Sequence, residues 1–208
     1  MSTNASSRAT PAGRVPQRER GKRRVAALLE AAAAVFAEKG YGAATMTEVA
    51  ARAGAPIGSL YQFFPAKEAL ADALLQRYAD HLRAALAPIE ADAATRTPAA
   101  LADALIDARL GLRDERRAAV ELLDAHRDAD TGVLRQIHGE LRRCLVRIVK
   151  ARLPALTAAR RERIAVVLQY QMKTAAAICE GEGGPRSAAL AEWRAMVRDY
   201  VARLGDVA

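Results

Sequence analysis

TMTEVAARAGAPIGSLYQFFPAK, Thr45 to Lys67, reads as two short helices joined by a tight turn, at the size and spacing of a helix-turn-helix. Thr45-Met46-Thr47-Glu48 has the T-x-x-E form of a capping box. In it the Thr hydroxyl takes one orphan N–H and the Glu reaches back to another. Val49, Ala50 and Ala53 form the small apolar face of the first helix. Gly54 supplies the positive φ that a helix end needs. Pro56 opens the next helix, where its missing N–H has no partner to lose. Leu60 and Phe64 fall at i and i+4 and point inward together. Ile57, Gly58, Ser59, Tyr61 and Gln62 are left facing out, a surface suited to close approach by a partner.

Outward from this stretch the chain reads as helix after helix. Val25, Leu28, Leu29, Ala32, Val35 and Phe36 make one apolar stripe that Lys39-Gly40 closes. Tyr41 is expected to pack back on it. This helix covers the helix-turn-helix, which cannot bury its own apolar face alone, and the three make a head. Ala66-Lys67-Glu68 starts a long helix expected to run to about Ala87-Pro88, followed by a loop over 88–97. Thr97-Pro98 is an N-cap with Pro at the first helical position and opens a helix toward Leu112. A short helix is expected around Ala119–His126, then longer ones over Leu134–Leu153, Thr157–Glu180 and, after GEGGP at 181–185, the C-terminal stretch.

From Ile164 to Cys179 only Gln169, Gln171, Lys173 and Thr174 are polar. A helix apolar on nearly all sides is buried on more than one. The last helix carries Leu190, Trp193, Val197, Tyr200, Val201 and Leu204 on a clean stripe. Two such terminal helices point to an isologous dimer built as a four-helix bundle, with Trp193 and Tyr200 expected at its interface.

Composition agrees. Alanine is abundant, β-branched alternating runs are absent, and the fold class is all-α with about nine helices. Formal net charge is +8, which favours a polyanionic partner. The excess is uneven: residues 1–24 hold seven basic residues and one acid. Residues 1–17 are a disordered basic leader by composition. Residues 18–66 are the helix-turn-helix domain, and 67–208 a helical effector-binding and dimerisation domain. Cys144 and Cys179 lie in apolar helical runs, as free thiols of a reducing cytoplasm do. No stretch reads as a membrane span or signal peptide, so a cytoplasmic protein with no membrane partner is expected.

F-A-E-K-G-Y (36–41), T-M-T-E-V-A-A-R-A-G (45–54) and G-S-L-Y-Q-F-F-P-A-K-E-A-L (58–70) together resemble the head of the TetR/AcrR (tetracycline-repressor-like) transcriptional regulators. The resemblance covers about residues 18–74; beyond it, helix number and order are similar. It implies a homodimer that sets two recognition helices into successive major grooves of a palindromic double-stranded DNA operator. It places Thr45 and Thr47 at phosphate, Pro56, Ile57, Gly58, Ser59, Tyr61 and Gln62 on the reading edge, and Lys67 at a further phosphate. Gln reads adenine bidentately, and Ile57 suits a thymine methyl. The recognition helix has no Arg or Lys, so Arg14 to Arg24 are expected to add backbone or minor-groove affinity.

No catalytic or metal-ligating set is expected: the three histidines stand far apart, and GEGGP lacks a phosphate-loop lysine. No cofactor is implied. The expected effector pocket takes polar or soft residues on inward stripes: His126, His138, Tyr170, Gln171, Met172 and Thr174, with a small hydrophobic effector releasing the operator. The competing reading is an all-α small-molecule enzyme or carrier with a vestigial head.

Overall fold

The computed structural model describes residues 17–112, 115, 132–180 and 186–206. Among them lie eight helices and no strand. They are α1 (Gln17–Ala43), α2 (Met46–Arg52), α3 (Ile57–Phe63), α4 (Lys67–Asp92), α5 (Pro98–Leu110), α6 (Gly132–Arg152), α7 (Ala158–Glu180) and α8 (Arg186–Asp206). Residues 1–16 of the expected leader, the short helix expected near Ala119–His126 and the GEGGP break lie outside the described residues.

The helix ends follow the chemistry of the sequence. α1 leaves helical geometry at Gly40 (φ 75°, ψ 157°), a region open to glycine at little cost. The Tyr41 ring then folds back to 5.4 Å from that of Phe36. Gly54 ends the turn after α2 with φ +60°. Thr97 accepts the Ala100 N–H at 3.2 Å and Pro98 takes the first position of α5. Thr157 accepts from Arg160 N at 3.3 Å ahead of α7.

One boundary differs from expectation. α4 does not stop at Pro88 but continues to Asp92, with Pro88 inside it. Proline removes one helical hydrogen bond. The carbonyl it strands belongs to Ala84, an exposed residue, so water can satisfy it. The helix continues because Ile89 and Ala93 are buried beyond the proline, and because Arg96 folds back in a two-pronged ion pair on Asp92.

Two apolar cores result. Leu28, Ala32, Phe36, Val49, Leu60 and Leu70 centre the head core, where α1 packs on α2 and the start of α4, and α2 on α3. Leu86, Ile106, Leu145, Ile148, Leu168 and Val197 centre the body core. There α6 packs on α4 and α7, and α5 on α7 and α8. The cores divide inside α4, between Leu74 and Leu75.

Gly54 and Gly58 separate backbone need from space, since a Cβ at either meets nothing within 4 Å. Gly54→Ala is expected to destabilise the head by about 1–2 kcal/mol through its left-handed φ. Gly58→Ala, in a helical position, is expected to stabilise it by about 0.5–1 kcal/mol. Chemical denaturation of the two variants checks the opposite signs.

Candidate nucleic-acid interface and effector cavity

The capping box forms as read. Glu48 N donates to Thr45 Oγ1 at 3.3 Å, and Thr45 N donates to Glu48 Oε2 at 3.0 Å. The Thr45 hydroxyl also donates to Glu48 Oε2, at 2.9 Å, and Lys39 Nζ donates to Oε1 of the same carboxylate. These bonds, Lys39 first and then Thr45, hold the Glu48 carboxyl at about 2. The Thr45 proton is thus committed to Glu48, and the hydroxyl expected at phosphate has no donor left for it. Thr47 is exposed with its hydroxyl unengaged.

α3 presents Ile57, Tyr61 and Phe63, which are 41%, 49% and 39% exposed, together with exposed Pro56, Gly58 and Gln62. Ser59 does not join them. It is buried, and Arg24 Nη1 of α1 donates to its Oγ at 3.3 Å. The bond comes from α1, an element outside the α2–α3 pair, so helical spacing within that pair does not carry it. Phe63, absent from the expected reading edge, is on the surface. Beside α3, Arg20, Arg23 and Arg24 line a recess of about 310 Å³ with Gly54, Ala55 and Pro56.

Lys67 is engaged within the head. Its ammonium donates to the carbonyls of Tyr41 (2.7 Å), Gly42 (3.2 Å) and Ala44 (3.0 Å) and lies 4.4 Å from the centre of the Tyr41 ring. All three of its protons are used, because α1 breaks at Gly40 and turns its last carbonyls toward α4. In this geometry Lys67 has no proton to give a phosphate. The Tyr41 hydroxyl in turn donates to Glu68 at 3.3 Å. Burial first, then Glu68, pushes that phenol up to about 12.

The residues expected to form an effector pocket are not brought together. Met172 is in the core, while Tyr170 is 62% exposed. Thr174 is exposed and donates to the Tyr170 carbonyl of its own helix at 3.1 Å. Gln171 accepts the Trp193 indole N–H at 2.9 Å. Trp193 is therefore packed and bonded within its own protomer. Tyr200 is half-buried against the body core. His138 is half-buried; burial, then Lys173, Arg109 and Arg142, lower its pKa and keep the ring neutral at pH 7. His126 lies outside the described residues. An all-round apolar helix such as α7 has no sequence mark for which side faces a cavity.

A cavity of about 210 Å³ opens elsewhere, between α4 and α6. Its floor is Ala79, Leu82, Leu86, Ile137, Leu141 and Cys144; its rim is Arg83, Glu140, Arg143 and Arg147. Arg83 pairs with Asp80 at 2.7 Å and Glu140 at 2.8 Å. Arg147 makes a two-pronged pair with Glu90, which also accepts from the Cys144 thiol at 3.4 Å. Burial, then Glu90, pushes that thiol up to about 11. No group of three or more His, Cys, Asp or Glu able to hold a metal occurs among the described residues. No helix among them is long and apolar enough to cross a membrane.

The family model "Bacterial regulatory proteins, tetR family" matches residues 28–74, ending where the head core ends. Among curated proteins, the HTH-type transcriptional repressor KstR2 of Mycobacterium tuberculosis (strain CDC 1551 / Oshkosh) is 49% identical over 55 residues, 26% of this chain and 28% of that protein. The chain thus spans little more than a quarter of the length of such relatives. Among solved structures, a TetR-like transcriptional regulator from Rhodococcus sp. RHA1 aligns over 91% of this chain and 97% of its own, with 22% identity and a TM-score of 0.62. A gamma-butyrolactone receptor (ArpA-like protein) aligns over 87% of this chain and 99% of its own, with 22% identity and a TM-score of 0.52. At these identities the structural matches speak for the fold.

Glu48 makes the capping box testable by pH. Its folded pKa lies below the ordinary 4.5, so its contribution is present above the unfolded value and lost as pH falls through about 2. The denaturation midpoint of the head is expected to fall more steeply from pH 5 to pH 2 in the natural chain than in Glu48→Gln. Equal slopes would show that the carboxylate adds nothing.

Proposed function

We propose that this chain, whose residues 28–74 match the tetR family model, is a homodimeric, ligand-responsive transcriptional repressor of that family acting on a palindromic operator in the cytoplasm. Residues 18–66 are its DNA-binding domain and 67–208 its effector and dimerisation domain. The observation that carries the reading is the exposed edge of α3 beside the Arg20, Arg23 and Arg24 recess. A short helix with Gly58, Tyr61 and Gln62 outward can enter a major groove, while guanidinium groups at its flank hold phosphate. Thr47, Pro56 and Ile57 complete the contact surface. Similarity to the repressor KstR2 supports repression, and similarity to a gamma-butyrolactone receptor supports response to a small molecule. No catalysis is part of this reading.

Dimerisation is assigned to α7 and α8, where Val167, Tyr170 and Met196 remain exposed on the protomer. These large apolar side chains stand on the two helices expected to pair, and covering them would complete the burial of α7. Two heads related by a two-fold axis then meet half-sites about 34–36 Å apart.

Selection of bound sequences from a random duplex pool tests the reading. A symmetric pair of half-sites should be enriched; recovery of unselected sequence would overturn it. On the selected duplex, Gln62→Ala is expected to cost about 1–3 kcal/mol, with no loss on random duplex. Arg23→Gln should weaken both and lower the salt slope by about 1. Affinities measured at several salt concentrations separate the two roles.

A further inference from the structure

The cavity between α4 and α6 is the part of the body that the reading above leaves without a task. Its floor is wholly apolar apart from a thiol, and its rim is rich in guanidinium. Its volume, about 210 Å³, exceeds the ~150 Å³ cavity that admits benzene. It falls short of the ~300–1,000 Å³ of drug-sized pockets. It therefore suits a ligand with a short alkyl or single-ring body.

The rim sets the head group. Three arginines face one lining acid, Glu140, and that acid is held by Arg83 and by Gln136 at 3.0 Å. Arg147 is held by Glu90. Arg143 differs from both: it is exposed, it is bound in none of the hydrogen-bonded pairs of the rim, and its charge acts on Glu140 only through space. A guanidinium beside an apolar cleft binds a carboxylate by paired, charge-assisted hydrogen bonds. With a single guanidinium outside a hydrogen-bonded pair, the complement is one carboxylate rather than a more highly charged group.

We propose that this cavity is the effector site and that it takes a small apolar monocarboxylate, its body on Leu82, Leu86, Ile137 and Leu141 and its carboxylate on Arg143. This rests on the regulatory reading above and adds to it the ligand's place and chemical class. The place also supplies a route. One wall of the cavity is α4, and the Arg83–Glu140 and Arg147–Glu90 pairs tie that wall to α6. A ligand that enters separates α4 from α6, and α4 carries the head. By linkage, operator and ligand weaken each other's binding by the same factor.

Calorimetric titration of the full chain with octanoate, 1-octanol and octylamine tests the site without DNA. Octanoate should bind once per protomer, and octanol and octylamine more weakly by on the order of tenfold or more. Arg143→Gln should bring octanoate down to octanol. Ala79→Phe, which fills the cavity, should abolish both while circular dichroism confirms that the variant folds. Should Ala79→Phe unfold, Arg143→Gln at the surface decides alone. Equal affinity for octanoate and octanol, or octanoate binding untouched by Arg143→Gln, would overturn the proposal. Saturating octanoate should also weaken the selected operator in the natural chain and not in Arg143→Gln. A chain that reads a palindrome but ignores octanoate would overturn this inference and leave the regulatory reading standing. Octanoate binding at Arg143 in a chain with no preferred duplex would support the site and sink that reading.

Discussion

A single helix, α4, contributes Leu70, Ala71 and Leu74 to the head core and Leu75, Tyr78, Ala79, Leu82, Leu86 and Ile89 to the body core. Its first turn is fastened twice to the end of α1. The Lys67 ammonium takes three carbonyls there, and Glu68 takes the Tyr41 hydroxyl. Carbonyls at a helix end need partners, and a lysine supplies as many as three protons. The head is thus anchored to α4 by packing and by hydrogen bonds at one place. α3 is bonded in turn to α1 through Arg24 and Ser59.

In the body, packing and charge divide the work. The core is mainly aliphatic, and ion pairs cross between helices at the surface. Arg83–Glu140 and Arg147–Glu90 join α4 to α6, while Arg194 and Arg198 join α8 to Asp103 and Asp107 of α5. Exposed and partly exposed pairs of this kind contribute far less than the apolar burial beneath them. Their consequence is register: each fixes which turn of one helix faces which turn of the next. A pair that flanks a cavity can also be remade when the cavity fills.

Much of this was legible beforehand, and the reasons differ by residue. The capping box, Gly40, Gly54 and the Thr97-Pro98 start depend on local chemistry within a few positions, so sequence spacing carries them. Lys67, Ser59 and Pro88 each answer to a distant element, which sequence spacing does not carry. Lys67 meets carbonyls released by the break at Gly40, Ser59 is covered by α1, and Pro88 sits in a helix that buried Ile89 and Ala93 prolong. The cavity was invisible for a further reason. Leu82, Leu86, Ile137 and Leu141 look like any other core leucine or isoleucine, and only the spacing of α4 from α6 distinguishes them. The polar residues of α7 drew attention instead, but Thr174 bonds within its own helix and Gln171 serves Trp193.

Sharing of α4 by two cores is the claim on which transmission rests, and the single tryptophan of the chain allows it to be measured. Trp193 reports the body core alone. Leu60, fully buried in the head, can be cut to Ala at a cost of about 2–5 kcal/mol. Denaturant unfolding of Leu60→Ala should be followed by Trp193 fluorescence and by helical circular dichroism together. If α4 couples the cores, both signals shift to lower denaturant in step. A Trp193 midpoint that stays at its natural value, while the dichroism splits into two transitions, would contradict the coupling.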